Sequence, residues 1–96
     1  MRVRVSYYGS LRMKFNAASE DVLLSKGARL RDLFLHLASR YGELFKSYVL
    51  DPAGTEVRKD VLVNVNDLPA RQIRGLETEL KEGDQVDILP LFTGGG

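Results

Sequence analysis

Lys81-Glu82-Gly83-Asp84-Gln85-Val86-Asp87-Ile88-Leu89-Pro90 is the stretch on which the fold turns. Its first four residues are a turn signal that feeds a short strand, Gln85 to Pro90. A period of two puts Val86 and Ile88 on one face of that strand and Leu89 and Leu91 on the other. The chain's opening residues repeat the pattern. Val3, Val5 and Tyr7 alternate with Arg2, Arg4 and Ser6, which places both arginines on an outer face, and Gly9-Ser10 marks the turn that follows.

Between these two strands the pattern changes once to a helical period. Leu30, Leu33, Phe34, Leu37, Ala38 and Tyr41 fall on one face of an amphipathic helix, with Leu35 and His36 off the stripe. Asp32 suits the positive end of the helix dipole, and Gly42 is a natural residue just past its end. Gly27-Ala28 offers no side-chain cap, and Ser25 carries the nearest oxygen. Val61-Leu62-Val63-Asn64-Val65 reads as a strand dense in β-branched residues. Asn66-Asp67-Leu68-Pro69 and Asp51-Pro52-Ala53-Gly54 read as turns, and Gly75 to Leu80 as a single helical turn. Leu11 to about Leu24, most strand-like at Val22-Leu23-Leu24, completes an N-terminal hairpin with a long or bulged connection. Glu43 to Leu50 fits a short helix or an extended segment. The order is β-β-α-β-β, without repeats. One helix and four or five strands share a core if the helix lies across one face of a mixed sheet. With the first and last strands paired in parallel, that is the β-grasp arrangement. Another small α+β sandwich fits the same string.

Composition narrows the function classes. The chain has 96 residues, enough for one core, with 44% hydrophobic and 28% charged residues. A net charge of +1 gives no argument for nucleic acid. The absence of cysteine excludes a thiolate nucleophile, cysteine-ligated zinc and an iron–sulfur cluster. No metal set stands out, and His36, the single histidine, lacks a partner to orient it as a base. No apolar run is long enough for a membrane span, and Met1-Arg2-Val3-Arg4 is not a signal peptide, so a soluble cytoplasmic protein is expected.

The sequence closes on Gly94-Gly95-Gly96. Glycine is about 7% of an average protein, so even two in succession at a terminus are roughly a one-in-two-hundred coincidence. Without a Cβ, such a tail can lie extended in a narrow slot and present its α-carboxylate. Leu91 to Gly96 reaches at most about 20 Å. A domain over 1–90 and a flexible tail over 91–96 are expected.

Several of these stretches carry a family resemblance. Val61-Leu62-Val63-Asn64, the run from Gly75 to Pro90 and the glycine tail resemble the ubiquitin-like sulfur carriers of MoaD and ThiS type, with archaeal small modifiers and Urm-type modifiers as relatives. Tyr7-Tyr8-Gly9-Ser10-Leu11-Arg12 is similar to the opening of MoaD-like chains, and Leu30-Arg31-Asp32-Leu33-Phe34 also fits. The resemblance spans nearly the whole chain and is most specific in its last third. It departs at Leu91-Phe92-Thr93, where MoaD chains usually carry a second proline and small residues, and in the third glycine.

The resemblance implies an α+β, β-grasp (ubiquitin-like) fold and a carrier rather than an enzyme. A ubiquitin-activating-type enzyme would adenylate the terminal carboxylate of Gly96, or of Gly95 after trimming. A sulfurtransferase or other persulfide donor would then convert it to a thiocarboxylate. ATP and Mg²⁺ belong to that partner, and the chain itself binds no cofactor and no metal. Leu89, Leu91, Phe92, Thr93 and Gly94 are the expected partner-binding residues, Phe92 as an aromatic anchor. The acidic stretch Glu77, Glu79, Glu82, Asp84 and Asp87 is either a solvated rim or a means of steering toward a basic groove on the activating enzyme. The leading role is the small subunit of molybdopterin synthase, with its large subunit as partner. The alternative is a protein modifier joined to lysines of other proteins, or serving tRNA thiolation. A plain interaction domain is the third.

Overall fold

Val5 lies opposite Val86, and Tyr7 opposite Ile88, in a parallel pair of strands drawn from the two ends of the chain. These are β1 (Arg2–Tyr7) and β5 (Gln85–Pro90) of the computed structural model, which describes residues 1–91. Val3, Val5, Tyr7, Val86 and Ile88 are fully buried. Each contributes about 1.5–3 kcal/mol by leaving water, so this central pair anchors the core. β2 (Ser19–Leu23) runs antiparallel to β1, and β3 (Val61–Val65) antiparallel to β5. The two-residue β4 (Leu68–Pro69) closes the far edge, giving the order β2-β1-β5-β3-β4. Asn66 and Asp67 join β3 to β4 with φ of 51° and 69°, the left-handed pair that a tight hairpin turn demands. This is the mixed five-stranded sheet of the β-grasp fold.

Three helices share the buried face, where one main helix was expected. α2 (Leu30–Tyr41) buries Leu30, Leu33, Phe34, Leu37 and Ala38, the stripe read from the sequence. Its first turn is capped from within: Asp32 Oδ2 accepts the Arg29 amide at 2.7 Å, and Ser25 offers only its backbone carbonyl, to Ala28. Gly42, at φ 66°, ends α2 and turns the chain directly into α3 (Glu43–Val49), which buries Phe45 and Val49. The stretch Glu43 to Val49 is thereby settled as helix, and Leu50 is extended and bridged to Val57.

The connection between β1 and β2 is also helical, not merely long. α1 (Ser10–Phe15) buries Leu11 and Phe15, one turn apart, and ends at Asn16 in the left-handed conformation. Phe15 centres an aromatic cluster with Tyr7, Tyr41 and Phe45 at centroid distances of 4.9, 5.0 and 5.6 Å. Two short 3₁₀ turns, Ala70–Gln72 and Gly75–Glu77, carry the chain back under α2 toward β5.

Candidate functional site

The site is the end of β5 from which Phe92-Thr93-Gly94-Gly95-Gly96 follows in sequence. Tyr8 donates its amide to Ile88 O at 3.1 Å, and Leu91 donates its own to Asp60 O at 2.8 Å. Pro90 is the last residue paired with β3, opposite Val61. Gly9 stands against it. Gly9 has φ 57° and ψ −136°, and a Cβ there would lie 3.1 Å from Pro90 Cγ. The backbone conformation favours glycine, and a Cβ there would press on the Pro90 ring, which would have to give by a few tenths of an ångström. Arg12 secures the corner: its Nε donates to Tyr7 O at 2.8 Å, and its guanidinium carbon lies 5.5 Å from the centroid of the Tyr8 ring. The motif Tyr7-Tyr8-Gly9-Ser10-Leu11-Arg12 is therefore the brace that holds the root of the tail. The root is fixed by backbone bonds from both neighbouring strands.

Leading away from that root is the sheet face opposite the helices. Leu89 faces Leu62 across the β3–β5 pair. Leu91 is 43% exposed, whereas Leu89 is half-buried, so the two leucines are not equally open as parity alone implied. Next to them lies a polar centre. Asp87, only 8% exposed, accepts from Tyr8 Oη at 3.2 Å and Gln85 Nε2 at 2.9 Å, and Gln85 Nε2 also donates to Ser6 Oγ at 2.8 Å. The Asp87 charge, before any other cause, holds the Tyr8 hydroxyl above its ordinary pKa. Asn64 Oδ1 is buried among them without a hydrogen-bond partner in the described residues. Arg4, bonded to Asp21 at 3.1 Å, and the 71%-exposed Leu23 extend the face toward β2. An apolar band beside a hydrogen-bonded polar centre, with an exposed leucine at the tail root, suits protein contact.

Of the residues expected to form the site, Leu89 and Leu91 are placed here. Phe92, Thr93, Gly94, Gly95 and Gly96 lie outside the described residues. Leu62 and the Tyr8–Asp87–Gln85 network were missed. The alternation Val61, Val63, Val65 around Leu62 already pointed that leucine outward; the network offered no signal, because it joins residues 79 positions apart.

The acidic stretch does not form one rim. Glu77 is bound by Arg29 at 3.0 Å and by Arg31, and Asp87 is buried. Glu82 accepts the Arg2 amide at 2.9 Å, and Asp84 accepts from Lys81 N and Asn66 Nδ2 at 2.7 and 2.8 Å. Glu82 and Asp84 thus sit at the start of β5. Six residues of strand, about 17–20 Å, separate that end from the tail root. Any steering by Glu82 and Asp84 would therefore act at the end of β5 opposite the tail root. No group of His, Cys, Asp or Glu among the described residues is arranged to hold a metal ion, and none of their helices is long and apolar enough to cross a membrane.

Comparison with known proteins agrees with this architecture. The ThiS family model matches residues 5–95. The Pyrococcus furiosus protein described as a putative molybdopterin converting factor, subunit 1, is 29% identical, with 96% of this chain and 99% of that one covered and a TM-score of 0.72. A chain of the Amycolatopsis orientalis BexX/CysO complex is 31% identical, covers 97% and 99%, and gives 0.76. SAMP1 from Haloferax volcanii superposes over both full chains at 0.82 with 18% identity, a likeness of fold alone. A search of curated proteins returned no match.

Proposed function

The chain belongs to the ThiS family, and from that premise we propose that it carries sulfur on its C-terminal carboxylate, as the small subunit of molybdopterin synthase does. At the family level it is a ubiquitin-like carrier or modifier protein, a substrate of other enzymes rather than a catalyst. A carboxylate is a poor electrophile. The proposed adenylating partner, holding ATP and Mg²⁺, lets the Gly96 carboxylate attack the α-phosphorus and expel pyrophosphate. The resulting acyl phosphate anhydride is a good electrophile with AMP as leaving group. A persulfide sulfur on a donor protein attacks the acyl carbon and AMP departs; a thiol then attacks the donor's own sulfur, forming a disulfide with it and releasing the terminal thiocarboxylate. The large subunit then takes up the tail, in the cytoplasm, where such partners act.

One observation carries the reading: Leu91 is fixed to Asp60 O while Pro90 packs close to Gly9, so the segment that leads to the glycine run leaves from a held point at the end of the sheet's central strand. A rigid root limits the search of a short tail for a partner's active site, which is the entropic advantage of preorganisation. The likeness to the Pyrococcus furiosus protein described as a molybdopterin converting factor subunit favours the molybdopterin role.

The test is intact mass after incubation with ATP, the cognate adenylating enzyme and a persulfide donor. Replacement of one terminal oxygen by sulfur is expected. Lysine-linked ladders without that mass change would favour the modifier role.

A further inference from the structure

The two ends of β5 differ in charge. Glu82 and Asp84 lie at its start. Near its far end, Arg71 Nη2 reaches Val61 O at 3.4 Å, and Val61 is the residue paired with Pro90. Arg71 belongs to a groove of about 500 Å³ whose walls also include Lys59 and Arg74, with Val63, Ala70 and Leu76 as apolar lining. The groove holds two carboxylates. Glu77 is taken by Arg29 and Arg31, and Glu56 is left against three cations. Among the described residues, none of Lys59, Arg71 and Arg74 has a carboxylate within ion-pair distance, while Arg58 next door is paired with Asp60 at 2.8 Å. All three are exposed.

We propose that this groove receives an acidic segment, rich in Asp and Glu, of the same partner protein that takes the glycine tail. The inference rests on the carrier reading above and adds the place and sign of a second contact. Three arguments support it. Arg71 in the groove wall bonds Val61 O, and Val61 pairs with Pro90, so the groove lies one strand from the tail root, within reach of a protein engaging the tail. Its unpaired charge is positive, and guanidinium groups bind carboxylates through paired donors. Its apolar lining suits the methylene groups and occasional apolar side chain of a peptide. A polyanionic nucleic acid calls for a larger basic face than three cations on a chain of net charge +1. Steering toward the partner thus has the sign opposite to that expected from the acidic stretch.

The experiment uses the full chain in two assays. In ATP–pyrophosphate exchange with the cognate adenylating enzyme, the double variant Lys59→Glu/Arg74→Glu should raise KM for the carrier by roughly tenfold at low salt with kcat unchanged. The difference should shrink as salt rises. This pair leaves the Arg71 bond to Val61 O intact, and Arg71→Glu serves as a second variant. In the other assay, an oligoglutamate peptide titrated into the free protein should shift the amides of Lys59 and of Ala70 to Leu76. Unchanged KM in both folded variants overturns the proposal. So does a shift of those amides by tripolyphosphate or an RNA oligonucleotide but not by oligoglutamate. If wild-type protein supports no exchange, the carrier reading fails, and the peptide titration still decides the groove: shifts at those amides sustain it and their absence overturns it.

Discussion

Gly9 and Pro90 are in contact across the parallel pair at the sheet's centre: a Cβ on Gly9 would lie 3.1 Å from Pro90 Cγ. The turn after the first strand and the root of the tail are therefore one packing unit. Gly9→Ala meets both a φ of 57° with ψ −136° and this close approach. A loss of roughly 1–3 kcal/mol in a urea melt is expected. Because relief of the clash displaces Pro90, adenylation should fall as well in protein that remains folded. Wild-type stability for the alanine variant would remove the argument.

Glu20 is expected to matter more to stability than any other surface-proximal acid. Its side chain is 11% exposed and accepts Tyr7 Oη at 2.8 Å, Tyr41 Oη at 2.6 Å and Arg40 Nη1 at 2.5 Å. Burial first, then the Glu20 carboxylate, push the Tyr7 hydroxyl far above the usual phenol range, so it stays protonated and needs its acceptor. Glu20→Ala leaves that hydroxyl unsatisfied inside the core and should cost about 1–3 kcal/mol. Glu20→Gln retains an acceptor oxygen and should cost less. Equal melts for the two variants would contradict this account.

Acid should loosen the contact between α2 and the loop before β5. The Arg31 bond first, and the Arg29 bond second, hold the Glu77 carboxyl below its ordinary pKa. A depressed folded pKa means that the unfolded chain binds the proton more readily. The contribution is therefore complete above about pH 4.3, the unfolded value, and is lost as pH falls through the lower folded value. Tm of the wild type should converge on that of Glu77→Gln at the acid end of a pH series. A constant gap between the two down to the lowest pH would show that the charge plays no part.

Much of this fold was legible because its signals are repetitive. Val61, Val63 and Val65 alternate through β3, and the α2 stripe holds the 3.6-residue period for three turns; both elements stand where the sequence put them. α1 was missed because two turns give the period only one repeat, Leu11 to Phe15, and Asn16 ends the helix by a conformation no pattern announces. The outward parity of Leu89 and Leu91 was also legible, but not that Leu89 is half-buried opposite Leu62. The Tyr8–Asp87–Gln85–Ser6 network was not legible at all, since it exists only once the two ends of the chain lie side by side.

Leu91 separates the contact surface from the core. It is 43% exposed, so Leu91→Glu should change stability by no more than about 0.5 kcal/mol, as surface substitutions usually do. At a partner interface the same change should weaken binding by more than about 1 kcal/mol, because a desolvated apolar contact is replaced by a charge. Leu37→Ala is the internal contrast. That residue is fully buried, and a loss of about 2–5 kcal/mol is expected from transfer and cavity terms. Calorimetric titration against the adenylating enzyme, beside thermal melts, separates the two. Unimpaired binding by Leu91→Glu would move the interface off this face.

The terminus itself gives the sharpest test. Deleting Gly95 and Gly96 should abolish ATP–pyrophosphate exchange while leaving the melt unchanged, since the core is built from Val3 to Ile88. A single bulky residue appended after Gly96 should also block exchange unless a protease removes it. The appended residue moves the reacting carboxylate by about 3.5 Å. A misplacement of about 1 Å already costs around a hundredfold where rate depends on orientation. Comparing the two variants isolates the cause. The deletion shortens the reach from the root at Leu91, and the extension keeps the reach but moves the carboxylate. Exchange at the wild-type rate by the deletion variant would show that the carboxylate of the glycine run is not the reacting group, and the carrier and modifier readings would both fall.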